Sequence, residues 1–203
     1  MKGNTLVCIL LTALGVGAQQ TPLLMEQSRE VEMALSSAPE DLRSGAGVYA
    51  LQRNGFVKVR DSRNGFHCVV ERRSGHIAPK CYDAEGSTST LRASLKRGEL
   101  LTRGIDPVEV EKRIDEEYRA GRLHAPRKAG IVYMLATDDD YQDRAGKTHH
   151  LGAHVMVYAP FLKNSDIGVL AEQKWSPSHV WVQYEGRPDA YLIFSTGEAW
   201  KKH

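Results

Sequence analysis

Asp138, Asp139, Asp140, Asp143, His149, His150 and His154 are the densest run of potential ligands in the chain, and His179 follows at the start of a later strand. A zinc site draws three or four imidazole or carboxylate groups to within about 2.0–2.2 Å of one ion. If 150–154 is extended, His150 and His154 stand about 13 Å apart at about 3.3 Å per residue. Adjacent His149 and His150 would also point to opposite faces of a strand. A metal centre built on His149, His150, His154 and His179 therefore requires the loop to curl, or His179 to close it from elsewhere. An aspartate from 138–143 would then serve as a further ligand or as the base of a hydrolytic reaction. A calcium loop fits less well. Asp138, Asp140 and Gln142 match the first three ligand positions of an EF-hand, but Asp143 stands where its glycine belongs and His149 where its glutamate belongs. A solvated turn in a flexible loop is the simpler reading of Asp138 to Asp140.

From His154 onward the chain alternates. His154, Met156 and Tyr158 share one face of a strand, and Val155, Val157 and Ala159 the other. We read the first set, with the 138–154 loop and His179, as the candidate recognition surface, although a half-buried strand yields the same pattern. His and Met also ligate haem iron, but the chain holds no Cys-x-x-Cys-His attachment motif. Trp175, Trp181 and Trp200 could add to a binding surface near the C-terminal strands. His-Glu-x-x-His, Gly-x-Ser-x-Gly and a phosphate-binding Gly-x-x-x-x-Gly-Lys-Ser/Thr are missing, and Gly45-Ala46-Gly47 lacks the third glycine of a dinucleotide loop. Local motifs thus give no argument for catalysis. No cofactor is called for, with zinc as the alternative.

The elements that must position these residues follow from pattern. Leu24, Ser28, Val31 and Leu35 recur at helical spacing until Ala38-Pro39. From Gly47 to Arg72, two Asn-Gly pairs, Asn54-Gly55 and Asn64-Gly65, separate strand-like runs, which predicts a β-meander. Asp83 to Leu101 predicts one interrupted helix or two short ones, weakened by Gly98 and Gly104. Asp106-Pro107 opens another helix that Gly121 closes. Strands are expected at Ile131 to Ala136 (buried on both faces), His154 to Ala159, His179 to Tyr184 and Ala190 to Ser195. Helix, meander, helices and strands in that order fit a single α+β domain on a mainly antiparallel sheet, with the N-terminal helix packed on it.

The N-terminus supplies the compartment. Lys2 precedes a nearly unbroken apolar run, Leu6 to Val16, and Val16-Gly17-Ala18 is a small-residue cleavage site. Residues 1–18 read as a secretory signal peptide, leaving 19–203 as the mature domain with a flexible 19–24 lead. The run is shorter than the roughly 20 apolar residues of a stable anchor, so no transmembrane anchor remains after cleavage. Periplasmic or secreted localisation follows. Cys8 leaves with the signal, and the surviving pair, Cys68 and Cys81, reads as a disulfide in an oxidising compartment. Closing a loop of about 14 residues contributes about 3 kcal/mol on the chain-entropy model. At 41% hydrophobic and 26% charged the composition is globular, and a net charge of +2 gives no electrostatic case for nucleic acid. The charged clusters at 60–73 and 92–103 read as solvated faces.

Three segments, 78–86 (APKCYDAEG), 126–135 (PRKAGIVYML) and 154–160 (HVMVYAP), resemble an uncharacterised family of exported bacterial proteins, over most of the chain from about Ser36. That resemblance implies no activity, cofactor or catalytic residue. The chain therefore reads as an exported protein that binds a small molecule or an envelope protein without catalysis. A metal-dependent hydrolase and a structural component of an envelope assembly are the alternatives.

Overall fold

Of the two Asn-Gly pairs, one closes a tight hairpin and the other carries the chain across the end of a strand. The computed structural model describes residues 24–73, 76–136, 139–142, 148–169 and 180–196, with the backbone alone at 76, 139–142 and 148–151. Strands β1 (Gly47–Gln52) and β2 (Gly55–Arg60) pair antiparallel, and Gln52 opposite Gly55 leaves Arg53-Asn54 as a two-residue loop. Gly55 sits at φ +121°, a conformation that favours glycine. Asn64 behaves differently. Its side chain donates to the Leu42 carbonyl (2.9 Å) and accepts from the Phe66 N–H (3.1 Å). This ties the turn to the short helix Glu40–Arg43 that precedes β1, so β3 (His67–Arg73) enters beside β1, parallel to it, and away from β2. The expected β1-β2-β3 meander is thereby corrected to the order β2-β1-β3.

Beyond β3 the sheet is antiparallel. β4 (His76–Tyr82), β5 (Ile131–Met134), β8 (His154–Tyr158), β10 (Tyr191–Ser195) and β9 (Trp181–Gln183) complete an eight-stranded sheet in the order β2-β1-β3-β4-β5-β8-β10-β9. β6 (Asp139–Gln142) and β7 (Thr148–Leu151) form a separate two-stranded ribbon. The stretch expected as an irregular loop thus pairs its backbone groups internally.

Helix α1 (Gln27–Ser36), followed by a short α2 (Glu40–Arg43), lies on one sheet face against β1, β3 and β4. On the other face α3 (Ala84–Thr88) leads into α4 (Thr90–Thr102), which packs on β3 and β2, with α5 (Pro107–Arg119) behind it. Asp106 caps α5 by accepting from the Val108 N–H at 2.9 Å, Pro107 fills its first turn, and Gly121 (φ +70°) follows its end. Gly98 stays inside α4, because a Cβ there would meet the Phe56 ring. The architecture is α+β. Because α1 lies chiefly against β1, β3 and β4, β5 is not fully buried on both faces: Val132 and Met134 are buried, Ile131 and Tyr133 half-buried.

Cys68 and Cys81 face each other across β3 and β4 and form the expected disulfide, buried beneath α1 with Ala34, Val48 and Val70. Also beneath α1, Glu30 accepts from Arg72 Nη2 (2.9 Å) and the Leu51 N–H (3.0 Å). Helix and sheet are so joined by a buried ion pair as well as by apolar contact.

On the α4 face the three segments 78–86, 126–135 and 154–160 meet at Asp83. One carboxylate oxygen accepts from the Gly86 N–H (2.8 Å) and the Tyr158 hydroxyl (2.9 Å), the other from the Ile131 N–H (2.9 Å). Added Cβ atoms at Gly86 or Gly130 would collide with Tyr158. Gly86→Ala is expected to cost about 1–3 kcal/mol by overpacking, and less in a Tyr158→Phe background, where the nearest obstruction, the hydroxyl, is gone and only the ring edge remains. Urea denaturation of the four proteins of that cycle measures it.

Candidate functional site

Alternation along β3 sends Cys68, Val70 and Arg72 toward α1, and Val69, Glu71 and Arg73 toward α4. In β4 it sends Cys81 to the first side and Ala78, Lys80 and Tyr82 to the second. A charged group therefore stands on each of two adjacent strands beneath a helix. They neutralise each other: Lys80 Nζ lies 2.9 Å from Glu71 Oε2, and Arg73 Nε 3.4 Å from the same oxygen. The Tyr82 hydroxyl and the Ser94 hydroxyl of α4 both donate to Glu71 Oε1. Burial alone would raise the Glu71 carboxyl pKa, but Lys80, Arg73 and the two hydroxyls override it and hold the value near 2. Burial pulls Lys80 down to about 8, with Arg73 adding to the effect, and its ammonium lies 5.8 Å from the Tyr191 ring centroid.

One turn beyond Ser94, Arg97 extends the network. Its Nε meets Glu111 of α5 at 2.9 Å and its Nη2 meets Asp189 at 2.5 Å. Its guanidinium lies 4.8 Å from the Tyr184 ring centroid. Arg187 bridges Glu111 (2.9 Å), Asp115 (3.0 Å) and Asp189 (3.3 Å). Two helices and the turn between β9 and β10 are so clamped around one spot. Tyr184 sits in that turn at φ +55°, an uncommon backbone conformation for a residue with a side chain.

A cavity of about 190 Å³ opens over this network. Glu71, Arg73, Ser94 and Arg97 give it a polar floor, Leu101, Pro107 and Val110 an apolar wall, and Arg72, Tyr184 and Glu111 complete the lining. Apolar walls with a few fixed polar groups are the usual makings of a small-molecule pocket.

His154, Met156 and Tyr158 do share one face, the face that carries this network, and all three are buried (1%, 0% and 5% exposed). Met156 and Tyr158 belong to the core with Val69, Leu91 and Val132, and the Tyr158 hydroxyl is engaged by Asp83. His154 Nδ1 lies 2.9 Å from the Gly152 carbonyl, so the Nδ1–H tautomer donates there. Burial drives its pKa down to about 4, helped by the nearby Lys80 and Arg73 cations. His149 and His150 lie in β7, where backbone pairing sets them opposite Tyr141 and Asp140. His179, Asp138, Asp143, Trp175, Trp200 and the signal segment 1–18 lie outside the described residues. Trp181 packs against the core. Among the described residues no three His, Cys, Asp or Glu side chains converge as metal ligands, and no helix is long and apolar enough to cross a membrane.

Glu71, Lys80, Ser94, Arg97 and Tyr184 escape the sequence reading, which takes the 60–73 and 92–103 clusters for solvated faces. That reading is corrected for Glu71, Arg72 and Arg97, which are 8%, 2% and 9% exposed. The signal lies in the cysteines. Pairing Cys68 with Cys81 sets the β3–β4 register, which brings Glu71 opposite Ala78, two pairs along from Lys80 opposite Val69 and on the same face. Comparison with protein-family models, curated proteins and solved structures returns no match.

Proposed function

We propose that the mature chain is an exported, non-catalytic binding protein that takes a small molecule into the cavity beneath α4 and α5. The observation that carries this reading is the cavity itself: an apolar wall of Leu101, Pro107 and Val110 over a floor whose charges are paired and clamped from three elements. Binding is favoured over acid–base catalysis because a general acid or base works best with a pKa near the ambient pH. Glu71 near 2 and His154 near 4 each hold one protonation state at neutral pH. Lys80 does not line the cavity and is 1% exposed. Export is supported by the signal-like N-terminus and the disulfide.

Thermal-shift screening of the mature protein against small organic acids, amines, sugars and nucleosides tests the reading. Hits that raise the melting temperature of the wild type, but not of a folded Leu101→Trp variant whose indole fills the cavity, are expected. Hits unaffected by Leu101→Trp, or none at all, would overturn it. Amino-terminal sequencing of exported protein should begin at Gln19.

A further inference from the structure

The cavity keeps donor capacity that no described acceptor takes up. Both oxygens of Glu71 are engaged, Oε1 by Tyr82 and Ser94 and Oε2 by Lys80 and Arg73. Both oxygens of Glu111 are engaged by Arg97, and one of them also by Arg187. Arg97 commits Nε and Nη2 to Glu111 and Asp189, and among the described residues no acceptor meets its Nη1. The Tyr184 hydroxyl likewise makes no hydrogen bond with a described residue, although Tyr184 lines the cavity with its ring against Arg97. Two donor groups on the lining are thus taken up by no described residue: the Nη1 hydrogens of Arg97, whose residue is 9% exposed, and the hydroxyl of Tyr184, whose ring lies against that guanidinium. A guest that brings acceptors can use both. A carboxylate meets a guanidinium with charge-assisted bonds roughly twice as strong as neutral ones.

We propose that the cavity is a site for small monocarboxylates, whose carboxylate is received by Arg97 Nη1 and the Tyr184 hydroxyl while an apolar body lies against Leu101, Pro107 and Val110. The carboxylates already present do not forbid an anion there. Glu71 is neutralised by Lys80 and Arg73, and Glu111 is shared between Arg97 and Arg187. The clamp on Arg97 also keeps it in place before the guest arrives, which lowers the ordering cost of binding. The left-handed backbone at Tyr184 is consistent with a residue held for a purpose beyond packing.

This inference rests on the cavity being a binding site, and two probe series keep the two ideas apart. Benzoate, benzamide and benzylamine, and isovalerate with its amide and amine, are titrated calorimetrically into the mature protein. The carboxylate of each series should bind at least about tenfold tighter than its amide, and the amines not measurably. Tyr184→Phe should weaken the carboxylates by about three- to tenfold and leave the amides nearly unchanged. Leu101→Trp should abolish binding. Arg97→Ala is a poor probe, since it leaves Glu111 and the buried Asp189 with Arg187 alone and endangers the fold. Amides or amines binding as well as carboxylates, with Leu101→Trp still blocking them, would overturn the carboxylate assignment and keep the cavity. Carboxylates binding equally to Leu101→Trp would overturn both, as would the failure of every probe.

Discussion

Replacing Glu71 by alanine should lower the unfolding free energy by about 3–5 kcal/mol, the cost of stranding one partner of a buried ion pair. Four donors lose an acceptor at once: the Lys80 ammonium, the Arg73 guanidinium, and the Tyr82 and Ser94 hydroxyls. Lys80 is 1% exposed and has no route to water without movement of β4 or α4. Against a total stability of about 5–15 kcal/mol for a typical domain, the variant should be marginal at best. The origin of the loss can be separated by a second protein. In Glu71→Gln with Lys80→Met, the amide oxygen still accepts from Tyr82 and Ser94, and the stranded ammonium is gone. That double variant should be more stable than Glu71→Gln alone. Urea unfolding at neutral pH measures all of these, and a Glu71→Ala protein within about 1 kcal/mol of wild type would refute the account.

Acid should weaken the fold first through His154. Its folded pKa, near 4, lies below the value of about 6.5 expected for an unfolded histidine. Between those values the unfolded chain takes up a proton that the buried imidazole refuses. The stability linked to His154 is therefore fully present above about pH 6.5 and is lost as the pH falls to 4, amounting to about 3 kcal/mol. Protonation would place a cation among Lys80 and Arg73. Glu71 acts later: its pKa near 2 is below the ordinary carboxyl value, so its contribution is present above about 4.5 and lost as the pH falls through 2. His67 is shifted in the same direction as His154, chiefly by burial, and adds to the slope. Unfolding free energies at pH 7, 5 and 4 for wild type and His154→Gln decide the matter. The wild type should fall steeply and the variant by much less. A flat wild-type profile would sink the assignment.

The fold was legible wherever a local cause acts alone. The Asp106-Pro107 start of α5, the Asn54-Gly55 hairpin, the alternation of β8 and the Cys68–Cys81 bridge each follow from neighbouring residues, and each stands in the structure. What was lost depends on partners far along the chain. Asn64-Gly65 has the same two residues as the hairpin turn, yet its side chain is captured by the Leu42 carbonyl, and that tertiary bond diverts β3 to the far side of β1. The cavity was lost for the same reason. Arg97 and Asp189 are an ion pair across most of the domain, and nothing near either residue announces the other. A charged side chain in a strand reads as solvent-facing until the sheet order shows a helix lying over it. His154, the end of the histidine-rich run, has as neighbours Lys80 and Arg73, which belong to the network beneath the cavity.

The bridge between Cys68 and Cys81 has a temporal side. Both sulfurs lie in a fully buried layer, roofed by Ala34 of the helix above and Ala38 of the bend that follows it. A reductant or an oxidase has no approach to them while that roof is closed. Exchange at sulfur requires an attacking thiolate in contact, so in the finished protein the bond's lifetime is the lifetime of the closed roof. The same barrier operates during assembly. A chain that folded completely with both thiols reduced would have sealed them away from the enzymes that could join them. Oxidation must come while the β3–β4 hairpin is still bare, before α1 settles. The order of events, bond and then roof, is thus written into which layer the cysteines occupy.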